Sequence, residues 1–238
     1  MMKIGILLVG RASEDLVDEY GTYAEMLIAL INTEEQVFEF KTFNILDDEF
    51  PKDHLECDGW IVTGSPHGVY EDHSWIPTVS QLINNVYEAN LPIFGVCFGH
   101  QLIAQALGGH VEKSEKGWGL GLHTYQVNNK PDYMSNLSEE VTLNICHQDQ
   151  VLRPPQGATV YAKSEFCENA GFYIKDKVLT MQAHPEFLVD FTKALLTARR
   201  DVTIPKEFVD PALVGLKNNP ESAQSNQFAK TIRQFFLA

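Results

Sequence analysis

The chain has 238 residues, 44% of them hydrophobic, enough for one large domain with a substantial core. Eighteen basic residues against 32 acidic ones leave a net charge of −14 with histidine neutral, which argues against nonspecific nucleic-acid binding and attachment to an acidic membrane. No apolar stretch reaches the ~20 residues of a membrane span, and Cys57, Cys97, Cys146 and Cys167 form neither a C-x-x-C pair nor a disulfide framework, so a reducing cytoplasm is the expected location.

Residues 4–9 read as a first buried strand. The opening stretch has the length of a short signal peptide, but Arg11 and a run of acids follow without a small-residue cleavage site. Residues 23–31 carry a helical stripe of Met26, Leu27, Leu30 and Ile31. Phe38, Phe40 and Phe43 mark a second strand, and residues 58–63 a third, ending in the turn 64–68. Residues 75–87 are helical, with Ile76, Val79, Leu82, Ile83 and Val86 on one side. Strands alternating with helices predict an α/β domain with a largely parallel sheet, whose ligands bind beyond the carboxyl ends of the strands.

The apolar run Leu91-Pro92-Ile93-Phe94-Gly95-Val96 leads into Cys97, and Leu102, Ile103, Ala106 and Leu107 then repeat with a helical period until Gly108-Gly109. Cys97 lies between Gly95 and Gly99, the setting of a nucleophile elbow with sulfur in place of oxygen. Its place at a helix N-terminus favours thiolate. Residues 110–127 are glycine-rich and strand-like. Further strands are expected at 141–146, 158–162, 170–174 and 178–183, a helix at 187–199, and a last helix at 229–237 after a tail holding Pro205, Pro211 and Pro220. No linker separates two domains: residues 1–200 form the principal unit and 201–238 a helical extension packed on it.

A cysteine nucleophile needs a base, and the base an orienting partner. Of eight histidines, His54, His67 and His73 fall in polar loops, His110 and His123 lack an arranged acid, and His100 sits on the helix after the elbow, where a structural role fits better. His184 ends an apolar strand, and Glu186, two residues on, points to the same face in an extended segment. A carboxylate there holds the imidazole tautomer as Asp does in a Ser-His-Asp triad. The competing role for Glu186 is a cap on the following helix. No zinc spacing, Walker A loop or dinucleotide fingerprint is present, so no metal and no cofactor are expected. The Gly117-Trp118-Gly119-Leu120-Gly121 run opens no helix.

Gly95-Val96-Cys97-Phe98-Gly99-His100-Gln101 with a downstream His184-Pro185-Glu186 resembles the class I, or triad, glutamine amidotransferases. The resemblance runs from the first strand to about residue 200. Within that family the chain is similar to stand-alone proteins like the glutaminase domain of GMP synthase, a group that includes the plant γ-glutamyl peptidases. The resemblance implies a flavodoxin-like fold: a mostly parallel central sheet, helices on both faces and a small additional antiparallel β portion. It implies Cys97 as nucleophile, His184 as base and acid, Glu186 as orienting carboxylate, and an oxyanion hole from the backbone N–H groups of Phe98 and Ser65, where one donor is worth about 3–4 kcal/mol of barrier. Gln101 matches the family glutamine that binds the glutamyl head, and Cys146-His147-Gln148-Asp149 occupies the place of a pocket loop often written Ser-His-Gly-Asp. Gly64, Gln101, His147, Gln148 and Asp149 are thus the implied substrate-binding residues. Without the motif, Gln101 reads as a helix-surface glutamine and Asp149 as a loop carboxylate facing water.

Two departures bear on specificity: Ser65 stands where family turns often read Gly-Gly-Pro, and Gln148 replaces a loop glycine. Both put strict glutamine specificity in doubt. The implied activity is hydrolysis of a γ-glutamyl amide bond, in glutamine or a peptide, through a thioester. The alternatives are a glutaminase subunit delivering ammonia to a synthetase partner, and a non-catalytic relative on the same scaffold. The implied ligand is a small γ-glutamyl compound; no nucleic acid or membrane is expected, and the oligomeric state stays open.

Overall fold

The computed structural model describes residues 1–32, 36–219 and 224–238; Pro220 lies outside them. In chain order the elements are β1 (Met2–Leu8), α1 (Glu14–Tyr20), α2 (Tyr23–Ile31), β2 (Phe38–Asn44), β3 (Gly59–Val62), α3 (Trp75–Glu88), β4 (Ile93–Val96), α4 (Phe98–Ala106), β5 (His110–Lys113) and β6 (Gly119–Val127). They continue with β7 (Glu140–His147), β8 (Asp149–Arg153), β9 (Thr159–Lys163), β10 (Gly171–Ile174), β11 (Val178–Met181), α5 (Val189–Arg199), α6 (Lys206–Asn218) and α7 (Ser225–Leu237).

Nine strands form one sheet in the order β2-β1-β3-β4-β11-β10-β9-β6-β7, and β5 pairs with β8 in a separate antiparallel ribbon. The pairings from β2 through β11 are parallel. From β11 outward the strands run antiparallel. The antiparallel portion is therefore mostly a continuation of the central sheet. Alternate residues of one strand feed opposite cores, as a pleated strand requires. Ile4, Ile6 and Leu8 of β1 enter a core shared with α2, α5 and α7, while Leu7 and Val9 enter the core beneath α3 and α4.

Helix α2 carries a complete capping box, Thr22 with Glu25, which fixes its start at the expected residue. Two helices and one strand lie outside the pattern expected from sequence. Helix α1 buries only Leu16 among acids, so it shows no apolar stripe. Helix α6 holds Pro211 in its interior. The proline forfeits one backbone bond, and the buried Val209 and Leu216 compensate by anchoring the helix to the main core. Strand β8 is largely polar and pairs only with β5. Beyond residue 200, Phe228, Ile232, Phe235 and Phe236 of α7 are buried in the same core as β1 and α2.

Candidate active site

Strand β4 is buried on both faces and ends at Cys97. The cysteine adopts φ 51°, ψ −104°, a left-handed conformation that costs energy for any residue with a Cβ. The strain persists because the surroundings fix it: the Cys97 N–H donates to the Met181 carbonyl at 2.9 Å, and its own carbonyl accepts from Gln101 N–H at 3.1 Å. The flanking glycines are steric necessities. A Cβ on Gly99 would fall 2.2 Å from the Val62 carbonyl oxygen, and one on Gly95 would fall 2.6 Å from Gly99 backbone atoms. Cys97 is the N-cap residue of α4, 5% exposed and at the positive end of the helix.

Strand β11 lies beside β4 in parallel, Met181 opposite Val96. Its continuation brings His184 to the same sheet edge. The His184 N–H donates to the Asn144 carbonyl at 2.8 Å, and Asn144 Nδ2 donates to the Phe187 carbonyl at 2.8 Å. The imidazole stacks flat on Phe187, centroids 3.8 Å apart. Its Nδ1 pairs with Glu186 Oε1 at 2.7 Å, and the ring lies close enough to Cys97 to feel the sulfur's charge. Helix α5 starts at Val189 with no side-chain cap, so the Glu186 carboxylate serves the imidazole and not the helix. Burial pushes the ring toward neutrality, but the Glu186 carboxylate and the Cys97 sulfur outweigh it and raise the His184 pKa to about 10.

The turn after β3 faces this pair. Gly64 backs the imidazole, since a Cβ there would lie 2.9 Å from His184 Cε1, and Gly64 itself stays off the cavity wall. Gly10, just beyond β1, lets the turn settle: a Cβ on it would meet Gly64 O at 2.4 Å and Ser65 Cα at 2.7 Å. Neither the Ser65 nor the Phe98 amide has an acceptor elsewhere among the described residues. These are two donors beside a buried thiol.

A cavity of about 150 Å³ opens over Cys97 and is lined by Ser65, Gln101, His147, Gln148 and Asp149 among others. Gln101 is buried, not on a helix surface; its Nε2 donates to the Asp149 carbonyl at 2.9 Å and to Gln182 Oε1 at 3.0 Å. His147 Nδ1 donates to the Asp149 carbonyl at 3.0 Å, and burial pushes the ring pKa down to about 3, so it stays neutral with Nε2 unpartnered. The Asp149 carboxyl is raised by burial, against a hydrogen bond from Tyr70 that lowers it. Gln148 reaches the Ser114 carbonyl at 3.5 Å. His100 belongs to the frame: it is buried and its Nδ1 pairs with Thr180 Oγ1 of β11 at 2.9 Å.

Trp118, in the glycine-rich run read from sequence as a strand and loop beside the cleft, lines the cavity, as do Tyr70, Glu71, Lys113 and Arg199, which nothing in their local sequence marks. His67 and His73 are not plain loop residues. Glu71 Oε2 pairs with His67 Nδ1 and His73 Nε2, both at 2.9 Å, beside the cavity. Donor atoms of these three residues lie within 4.8 Å of one another, the one such group with metal-ligand chemistry among the described residues. The carboxylate already satisfies both rings through hydrogen bonds. Cys57, Cys146 and Cys167 are buried and free, and burial pushes all three thiols up, that of Cys167 to about 12.

A thiol at a strained elbow, an imidazole–carboxylate pair on the next strand and two open amides meet at one edge of a mostly parallel α/β sheet. The model of the family described as "Glutamine amidotransferase class-I" matches residues 15–199, and the chain belongs to that family. It is 35% identical over 189 residues to gamma-glutamyl peptidase 4 of Arabidopsis thaliana, covering 76% of this chain and 74% of that protein. It is 31% identical over 172 residues to the glutamine-hydrolyzing GMP synthase of Bacillus velezensis, covering 71% of this chain and 29% of that longer protein. The fold matches the crystal structure of a glutamine amidotransferase from Thermotoga maritima with a TM-score of 0.80 at 18% identity, over 100% of this chain and 99% of that one. Among the described residues no helix is long and apolar enough to cross a membrane.

Proposed function

We propose that the protein hydrolyses the γ-glutamyl amide bond of glutamine or a γ-glutamyl peptide, with Cys97 as nucleophile, His184 as base and acid, and Glu186 as the group that orients His184. The observation that carries this reading is the convergence of the strained Cys97 elbow with the buried His184–Glu186 pair. His184, held protonated by Glu186 and the Cys97 sulfur, carries the proton drawn from the thiol, and the sulfur attacks the amide carbon. The tetrahedral oxyanion rests on the Ser65 and Phe98 amides. The imidazolium then protonates the departing nitrogen, leaving a thioester on Cys97. Water attacks the thioester with His184 again as base, releasing glutamate and the free thiol. Glu186 keeps Nδ1 occupied, so Nε2 faces the sulfur throughout. The glutamyl head is held by Gln101, His147, Gln148 and Asp149.

The free thiols of all four cysteines support a cytoplasmic location. The similarity to GMP synthase supports a second reading, a glutaminase that feeds a synthetase partner. Turnover of glutamine and of γ-glutamyl dipeptides by the purified chain decides between them. Hydrolysis by the chain alone supports the hydrolase; turnover that appears only after a synthetase is added supports the subunit. Failure to trap a γ-glutamyl thioester on Cys97 in either setting removes both.

A further inference from the structure

The charged groups around the cavity fall into two sets. Tyr70, Glu71, Lys113 and Asp149 are mutual neighbours. Arg199 lines the same cavity but reaches Cys146 instead, with Tyr23 and Cys97 near enough to act on its charge. It closes α5, and its carbonyl accepts from the N–H groups of Val202, Thr203 and Ile204, each at 3.1 Å, which pins the corner. The next residue, Arg200, turns outward and is neutralised by Asp210 at 2.6 and 2.9 Å and by Asp201 at 3.1 Å. Arg199 turns inward onto the cavity wall and makes no ion pair among the described residues. Its Nη1 donates to the Cys146 sulfur at 3.6 Å, a weak acceptor that burial keeps as a neutral thiol despite the nearby cation. A half-buried guanidinium with most of its donors unused is costly unless a ligand supplies an anion.

The position identifies which part of a ligand that anion belongs to. Cys146 lies two residues along β7 from Asn144, whose backbone bridges to His184. Tyr23 lies 5.7 Å from Phe187, the ring stacked on His184. Through Cys146 and Tyr23, Arg199 is therefore tied to the side of the cleft that carries the base. The base must reach the departing nitrogen, so the leaving group occupies that side. In a γ-glutamyl amino acid the leaving group's carboxylate is two bonds from that nitrogen. Glutamine releases ammonia, which offers a guanidinium nothing.

Resting on the hydrolase reading above, we propose that Arg199 forms a carboxylate-binding subsite for the leaving group, so that the enzyme favours γ-glutamyl amides whose departing amine is an amino acid with a free carboxylate. The planar guanidinium suits bidentate recognition of a carboxylate, which lysine cannot reproduce.

The test compares L-glutamine, γ-glutamylalanine and the C-terminal carboxamide of γ-glutamylalanine. Wild type is expected to favour the free acid over the carboxamide in kcat/KM by roughly ten- to hundredfold, the value of a charge-assisted contact. Arg199→Gln brings that ratio close to one, chiefly through KM for the free acid, and Arg199→Lys retains part of it. A wild-type enzyme that treats acid and carboxamide alike overturns the subsite. So does an Arg199→Gln enzyme that loses rate on all three substrates equally and keeps the ratio, which would place Arg199 on the glutamyl head or in the fold. Should Arg199→Gln not fold, the wild-type ratio and the Arg199→Lys variant still decide. A wild type inactive on all three substrates overturns the hydrolase reading itself, and the subsite with it.

Discussion

Replacing Gly10 with alanine presses on the proposed oxyanion turn from behind without altering the thiol, imidazole or carboxylate themselves. The added methyl would sit 2.4 Å from the Gly64 carbonyl oxygen and 2.7 Å from Ser65 Cα, both main-chain atoms that cannot rotate away. Reaching an ordinary contact of 3.4 Å requires the turn to move by about 1 Å. Such a shift carries the Ser65 amide out of range of an oxyanion it must meet at about 2.7–3.1 Å. Loss of one such donor raises the barrier by about 3 kcal/mol, on the order of a hundred- to thousandfold in kcat. The overpacking also costs about 1–3 kcal/mol of stability, so Tm falls as well. Three measurements on one preparation separate these effects: kcat at saturating substrate, the rate of Cys97 alkylation by iodoacetamide, and Tm. The expected result is a collapse of kcat with alkylation close to wild type. Retained kcat alongside a lowered Tm would refute the oxyanion role of the turn. Alkylation that slows in step with kcat would show that the thiol, not the turn, was damaged.

Cys97→Ser abolishes turnover, whereas Cys57→Ala and Cys167→Ala, at buried thiols away from the cavity, retain it; initial rates on glutamine check this. Glu186→Gln lowers kcat by less than His184→Ala does, because an amide oxygen still accepts from Nδ1 although the charge is gone. Equal losses accompanied by loss of the circular-dichroism signal would make the pair structural. His184 has a folded-state pKa above its unfolded value of about 6.5. Its contribution to stability is thus fully present below the unfolded value and is lost as pH rises through the folded one, about 10. The urea midpoint gap between wild type and Glu186→Gln should shrink over that window, and a gap that widens with rising pH contradicts the assignment.

The elements that sequence revealed are those where one short run concentrates the chemistry. Gly95, Cys97 and Gly99 announce an elbow because only glycine fits so close to Val62 and to the α4 backbone. His184 and Glu186 were legible as a pair, but their 2.7 Å contact is made across the turn that the Phe187 N–H closes on the His184 carbonyl at 3.3 Å, not along the extended segment the spacing suggested. Helix α6 was hidden because Pro211 breaks the local signal while tertiary burial of Val209 and Leu216 restores the helix. Gly10 and Arg199 were hidden for a different reason. Gly10 acts through a turn more than fifty residues away, and Arg199 differs from Arg200 only in which way the end of α5 points it. Neither carries a periodicity or a motif. Gln101 reversed its bland reading once α4 packed it against Gln182 and Asp149.

Strand β11 joins the parallel half of the nine-stranded sheet to the antiparallel half, with β4 on one side and β10 on the other. Among the described residues it is also the last strand to leave the ribosome. Until this strand is laid against β4, the Cys97 N–H has no Met181 carbonyl to meet and His184 has not reached the sheet edge. Pairing of that kind is non-local and slow. Elbow and imidazole are thus assembled together and late, by the strand that joins the two halves of the sheet, and a chain stalled before it has neither the strained Cys97 elbow nor the ring beside it.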